Sequence, residues 1–345
     1  MRRESDAVWC GVVRSSARSA SVGRFVRFHL APGPMGAEQE RIERPTPHSR
    51  GRVLSPIRRC AMGDPTLRLD ADDLCAMMAD FGPPDVVAED LLAFDDKTTP
   101  ARPRKAQWPP VTLEGDLALV RDEESGLRCV LPASALRACR TAALAVMAAR
   151  FLLSPGVVTV SLVGSGTTAR IHLLVAVHGL PDISHLAMYR PRPTDAPPVT
   201  PRVAELLSRA GIGLSVTTRV RDATFGANLV ILTGPGLPAE GLGHLAPGAV
   251  VINATGEHPP PALAGRASAL FVDDPGRLEL PGRTALATSS PIHLRQVFRG
   301  EHPGRSLPDQ VLLVDLLTIT LLDGSLARRL HRTALRHGRG EVVPG

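Results

Sequence analysis

Val157-Val158-Thr159-Val160-Ser161-Leu162-Val163-Gly164-Ser165-Gly166-Thr167-Thr168-Ala169 is the stretch on which the fold turns. Residues Val157 to Val163 are mostly apolar and β-branched, carry no charge, and form too short a run for a helix, so they predict a buried strand. The chain then bends at two glycines, and Thr167 to His178 follows a helical period that Gly179 ends. Gly164, Gly166 and Ala169 fit the spacing G-x-G-x-x-G/A, placed between a strand and a helix, where that pattern has physical meaning. Gly164 permits the tight turn, Gly166 lets a diphosphate approach the backbone with no Cβ in the way, and Ala169 lets the helix pack closely on the strand. The N–H groups of Ser165, Gly166, Thr167 and Thr168 lack partners at a helix start, and together with the macrodipole they can hold the phosphates of a dinucleotide. The alternative is a structural glycine turn in an α/β protein that binds no cofactor.

Downstream, His185 to Tyr189, Leu214 to Thr218, Asn228 to Thr233, Ala249 to Ala254 and Ala269 to Asp273 read as strands, with a helix over Pro201 to Ala210 behind Thr200. Alternating strands and helices predict an α/β fold with a Rossmann-type, doubly wound parallel sheet. The end of its second strand reads Met188-Tyr189-Arg190-Pro191-Arg192. An acidic residue there would bind a ribose 2′-hydroxyl, whereas two guanidinium groups suit a 2′-phosphate, so Arg190 and Arg192 predict NADP(H) in preference to NAD(H). The alternative is that both are solvated surface residues in an Arg-biased chain. Thr233, Ala254, Thr255 and Gly256, which close two later strands, are counted with the cofactor-binding residues. After Pro291 two helices are expected, the second from Pro308 to about Arg336.

Upstream, Asp70 can cap a helix whose apolar positions are Leu74, Met77, Met78 and Phe81. Leu117 to Val120 and Leu127 to Leu131 predict a hairpin across Glu123-Glu124-Ser125-Gly126, and Ser134 is placed to cap a helix over Ala135 to Leu153. Residues 1–61 are rich in Arg, Ser, Pro and Gly without sustained periodicity. They read as a disordered or non-native extension rather than a targeting peptide, against which Glu38, Glu40 and Glu43 count.

Charge and composition narrow the classes. The formal net charge of +6 resides in residues 1–61, where 12 Arg face 5 acidic residues; residues 62–345 hold 28 basic and 29 acidic residues. A nearly neutral body with 3% aromatic residues offers neither a phosphate-binding stripe nor a stacking platform, so nucleic-acid binding is not expected. No apolar run is long enough to cross a bilayer, and a cytoplasmic location without membrane partners is expected. Cys10, Cys60, Cys75, Cys129 and Cys139 show neither metal-ligand spacing nor a disulfide framework, so no metal is expected. Lys97 and Lys105 are the chain's two lysines, beside 38 Arg.

Several motifs, in order, resemble those of the ornithine cyclodeaminase and mu-crystallin family. Leu136-Arg137-Ala138-Cys139-Arg140-Thr141-Ala142-Ala143 is similar to its Leu-Thr-x-x-Arg-Thr-[Gly/Ala]-Ala helix, and Leu245 to Gly256 to its "LKPGAHINAVG" strand. Phe271-Val272-Asp273-Asp274 resembles the next strand and Gly300-Glu301-His302-Pro303-Gly304-Arg305 the "GKxPGR" turn, with Asp315 and Asp323 at the spacing of two aspartates on the closing helix. The resemblance spans about residues 66–335 and implies a homodimer, in which a Rossmann domain joins a second α+β domain for substrate and dimerisation built from the N- and C-terminal segments. On this reading residues 136–290 form the NAD(P)-binding domain, and 62–135 plus 291–345 the other. The resemblance also implies hydride exchange between nicotinamide and the α-carbon of an amino acid, through an imine, with Arg140 gripping the substrate carboxylate. The alternative for Arg140 is an ordinary helix-surface charge.

Three places depart from that pattern. Where the family has an acid two residues beyond the glycine, this chain reads Gly256-Glu257-His258; an imidazole can still carry a proton, and Glu257 is the neighbouring carboxylate. The family's lysine-bearing strand is expected to be deleted between Trp108-Pro109-Pro110 and Leu117, leaving Lys105 as the nearby lysine, with a solvated loop position as its alternative. The family's serine in the nicotinamide pocket is Leu316. The chain therefore reads as a diverged NAD(P)-dependent, cyclodeaminase-like oxidoreductase acting on an amino acid or cyclic imine, with Arg140, His258, Glu257 and Lys105 as candidate catalytic residues. The alternative is an inactive dinucleotide-binding member with a structural or regulatory role.

Overall fold

The structure is a computed structural model, and it describes residues 65–93, 111–121, 128–191, 199–234, 244–275, 290–317 and 322–344. The extension 1–61, Lys97, Lys105, Arg192 and the turn Glu123 to Gly126 lie outside the described residues.

The described chain opens with β1 (Thr66–Arg68), α1 (Ala71–Phe81) and α2 (Pro83–Ala93). Asp70 caps α1: its carboxylate accepts from the N–H groups of Asp72 and Asp73, while Asp73 accepts from the Asp70 N–H, and Leu74, Met77, Met78 and Phe81 form the buried face. Next come β2 (Thr112–Glu114), β3 (Leu117–Arg121) and β4 (Arg128–Pro132), then α3 (Ala133–Leu152). Thr112–Glu114 is a strand, without a lysine, in the interval between Pro110 and Leu117 where the lysine-bearing strand is expected to be deleted; Gly115, at φ +61°, makes a tight reversal that pairs it antiparallel with β3. Ser134 does not cap α3, which starts one residue before it, where the Ala133 N–H donates to the Asp116 carbonyl.

The second half runs β5 (Val158–Val163), α4 (Gly166–Gly179), β6 (Ile183–Tyr189), α5 (Pro201–Arg209), β7 (Gly213–Thr217), α6 (Val220–Thr224), β8 (Leu229–Leu232), β9 (Val250–Asn253), α7 (Pro261–Ala264), β10 (Ala269–Val272), β11 (Ile292–His293), α8 (Leu294–Phe298), β12 (Leu312–Asp315), α9 (Asp323–His337) and β13 (Glu341–Val343). The long helix expected from Pro308 is corrected: Leu312–Asp315 is a strand, and Asp315 closes it instead of lying on the last helix. A buried parallel strand is apolar on both faces, so Val311 to Leu317 shows no strand alternation and could not be told from helix by period.

Two sheets result. The larger is eight-stranded and parallel throughout, in the order β11-β10-β12-β9-β8-β5-β6-β7. Strands β11 and β12 thus enter it from beyond residue 290, where the sequence reading ended the Rossmann domain. The smaller sheet, β13-β1-β4-β3-β2, joins the last described strand to the first, pairing Thr66 with Val343.

Every residue of β8, β9 and β12 is buried, as expected of a sheet covered on both faces. One face, with Val160, Ile231, Ile252 and Phe271, belongs to the same core as Leu67 and Leu131 of the small sheet and Leu144 of α3. The other face, with Val163, Val230, Val251 and Val272, forms a second core. The Ala-rich α3 lies between α2, α4 and α9, and its small side chains let those neighbours approach closely. Among the described residues no helix is long and apolar enough to cross a membrane.

Candidate functional site

The large sheet changes winding direction between β5 and β8. From β5 the chain builds outward through β6 and β7, then returns to lay β8 on the opposite side of β5. The crevice outside the carboxyl ends of strands at such a switch point is where open α/β sheets hold ligands. Gly164 (φ +149°) follows β5 there and Thr233 follows β8, so close that a Cβ on Gly164 would lie 2.1 Å from Thr233 Oγ1. The Thr233 N–H and hydroxyl both point back to the Val163 carbonyl, at 2.8 and 3.3 Å. Gly166 (φ +74°) opens α4, and none of the described residues lies within 4 Å of where its Cβ would be.

The Ser165 side chain does not cap α4, and among the described residues no side chain accepts from the N–H groups of its first turn, which face the crevice. Ala169 is buried against the sheet, while Ser165 is exposed and Thr167 and Thr168 are half-buried. A close-packed bend, open space over Gly166 and an uncapped helix start together fit a dinucleotide diphosphate.

Because the strands are parallel, the other candidates come to the same edge. Arg190 follows β6, its N–H bonded to the Thr217 carbonyl, and its side chain is half-buried. Ala254, Thr255 and Gly256 follow β9, two strand spacings from β5, or about 10 Å. Glu257 and His258 lie exposed in the turn that follows.

Asn253 holds that turn. Its Nδ2 donates to the Glu257 carbonyl (2.7 Å) and to Asp315 Oδ1 (2.8 Å), and its Oδ1 accepts from the Thr255 hydroxyl (2.8 Å). The Glu257 N–H donates to Thr255 Oγ1 at 3.0 Å, so the backbone leading to His258 is tied to the ends of β9 and β12. Asp273, at the end of β10, accepts from the Leu317 N–H at 2.5 Å. Asn253, Asp273 and Asp315 lie in the motifs that carry the family resemblance, but nothing in the sequence pairs Asn253 with Asp315 or Asp273 with Leu317.

Arg140 lies on α3, fully buried, and its Nη1 is bonded to Asp323 at the start of α9. Burial raises the Asp323 carboxyl above its ordinary value, although Arg140 and then Arg137 pull it down. The next residue, Thr141, meets His172 Nε2 at 3.3 Å, and His172 Nδ1 meets the Thr168 carbonyl at 2.9 Å. Arg140 is therefore one residue from a hydrogen-bonded path into the first turn of α4. Burial lowers His172 to about 4, against a smaller opposing effect of the Thr168 carbonyl.

A parallel sheet with an open glycine bend at its switch point defines a Rossmann-type α/β protein with a second, smaller sheet. Within that class the chain belongs to the ornithine cyclodeaminase/mu-crystallin family, whose model matches residues 107–338. It is 24% identical over 274 residues to a Delta(1)-pyrroline-2-carboxylate reductase of Bacillus cereus, covering 74% of this chain and 82% of that one. Its fold is similar to that of the Thermococcus litoralis Delta(1)-pyrroline-2-carboxylate reductase in complex with NADH and L-proline, with a TM-score of 0.57 and 17% identity over 80% of this chain and 100% of that one. An archaeal alanine dehydrogenase dimer with bound NAD is also similar, with a TM-score of 0.56 and 18% identity over 81% of this chain and 99% of that one.

Proposed function

We propose that the protein is a nicotinamide-dinucleotide-dependent oxidoreductase that reduces a small cyclic imine, or oxidises the corresponding amino acid, at the α-carbon. The observation that carries this reading is the uncapped α4 start beside Gly164 and Gly166 at the β5/β8 switch point. It is supported by the family and by the imine reductases among its relatives.

The Gly164 to Ala169 bend would hold the diphosphate, with Thr233 and the Ala254 to Gly256 turn lining the crevice beside it. Arg190, and with it Arg192, favours a 2′-phosphate and hence NADP(H) over NAD(H). When bound, the dinucleotide supplies the hydride. The chain's own tasks are to orient the imine, exclude water and move one proton. Arg140 is the candidate for the substrate carboxylate, His258 for the proton on the imine nitrogen, and Glu257 and Lys105 for assisting it. Because the family's acid is replaced by His258, a substrate that arrives as a preformed imine is favoured over one that must first be deaminated.

The small sheet with α1, α2 and α9 acts as the substrate and dimerisation lobe of a homodimer. NADPH fluorescence titration, followed by oxidation assays with a panel of cyclic imines, tests the reading. NADPH binding with turnover of at least one imine is the expected result. Binding without turnover supports a structural or regulatory role instead, and binding of neither dinucleotide removes both.

A further inference from the structure

Arg140 holds five N–H donors in a fixed fork, and Asp323 takes the Nη1 end of it. The other edge, formed by Nε and Nη2, presents two parallel donors, which is the geometry that receives a carboxylate bidentately. Both atoms are buried and have no hydrogen-bond partner among the described residues. Leaving a buried charged donor pair without an acceptor is unfavourable, so the arrangement is explained if an anionic group completes it.

Charge points the same way. Asp323 already neutralises Arg140, so a ligand that adds a carboxylate is best tolerated if it carries its own cation. A protonated cyclic imine bearing an adjacent carboxylate is such a zwitterion.

Asp323 reaches this place from the first residue of α9, across 183 positions, and its side chain is nearly as buried as that of Arg140. On the other side of Arg140, the path Thr141–His172–Thr168 leads to the helix start that faces the dinucleotide crevice. His172 is seven residues into α4, so it stands about 9 Å from that start.

We propose that Asp323 is the positioning residue of a carboxylate receptor: it anchors Nη1 of Arg140 and thereby presents the Nε–Nη2 edge to the carboxylate of a zwitterionic cyclic imine. This rests on the reading that Arg140 takes the substrate carboxylate. Asp323 touches no substrate itself and acts by fixing the guanidinium plane, which a long side chain does not fix alone.

The test uses the full chain saturated with NADPH and titrated with pyrrole-2-carboxylate, a flat carboxylate that needs no turnover to be read. The native protein is expected to bind it, and Asp323→Asn to bind it about 30-fold more weakly. Asp323→Glu keeps the charge while moving it by one methylene, and it is expected to weaken binding with its melting temperature held. It decides the matter should the Asn variant fail to fold. In steady-state assays the ratio of kcat/KM for Delta(1)-pyrroline-2-carboxylate over 1-pyrroline should fall by a similar factor, through KM more than kcat.

Unchanged affinity and ratio in a variant that melts earlier would reduce Asp323 to a structural role. Absence of pyrrole-2-carboxylate binding by the native protein overturns the receptor outright. Binding of that probe without reduction of either imine removes the proposed reductase and leaves the receptor standing, whereas turnover with an unaltered ratio does the reverse.

Discussion

Gly164 and Gly166 stand two residues apart and answer a methyl group differently. At Gly164 the new Cβ would lie 2.1 Å from Thr233 Oγ1 and 3.0 Å from the Gly234 nitrogen, on a backbone already at φ +149°. The end of β8 must shift, so Gly164→Ala is expected to cost about 2–3 kcal/mol of stability and to lose NADPH binding as well. At Gly166 the new Cβ meets none of the described residues within 4 Å. Gly166→Ala should cost only about 1 kcal/mol, for its positive φ, yet weaken NADPH binding at least ~10-fold, because the methyl fills the space through which a diphosphate approaches. Thermal melts of the unliganded variants beside NADPH titrations separate the two, and a Gly166→Ala protein that binds like the native one would remove the diphosphate from this bend. His172 gives a prediction in pH. Its folded value of about 4 lies below the ordinary 6.5, so on acidification the unfolded chain takes up a proton that the folded one refuses. Stability is therefore full above about pH 6.5 and declines as pH falls toward 4; His172→Gln should flatten the melting temperature across that window. Both glycines were legible because their spacing is local. The partners of Arg140 and His172 were not, since Asp323 is 183 positions away and Thr141 is 31, and no periodicity encodes such pairs.

Between elements, Arg305 ties the end of α3 to the two loops that lead into β9 and β12. Its Nε donates to the Leu152 carbonyl at the end of α3 (2.9 Å), Nη2 to Gly248 before β9 (2.7 Å), and Nη1 to Gln310 before β12 (2.5 Å). Those carbonyls belong to a helix end and two loops, where nothing internal to the element satisfies them. Arg305→Met is expected to lose about 2–4 kcal/mol, seen in urea unfolding, with NADPH affinity of the folded fraction kept because the cofactor crevice lies at the strands' carboxyl ends. Unaltered unfolding would mean that water replaces the guanidinium at no cost. The turn around Arg305 could be read as a motif, but not its three targets. Elements with one exposed face were read well, as α1 shows with Leu74, Met77, Met78 and Phe81 on one side. Those buried all round were not: β12 carries no alternation to separate strand from helix. The start of α3 was misplaced for a related reason, because a backbone bond to Asp116 does the work expected of the Ser134 hydroxyl.

Across the whole molecule, the expectation of two domains meets a core that does not divide with the sheets. Leu67 and Leu131 of the small sheet, Leu144 of α3 and Val160, Ile252 and Phe271 of the large sheet belong to one buried cluster. The small sheet is closed by β13 pairing with β1, a contact between the two ends of the described chain that local pattern could not reveal. Removing either sheet would expose the apolar faces of α3 and its neighbours, so neither has a complete core without the other. Heat should therefore unfold the protein in one cooperative step, with calorimetric and van't Hoff enthalpies equal, and not in the two steps that independent domains give. A ligand of the large sheet's crevice must then protect the whole. NADPH at one hundred times its Kd adds about 2.7 kcal/mol to the folded state and should raise that single transition by roughly 5 °C. Two resolved transitions, of which NADPH moves only one, would mean that the shared core is energetically divided and that the small sheet melts on its own.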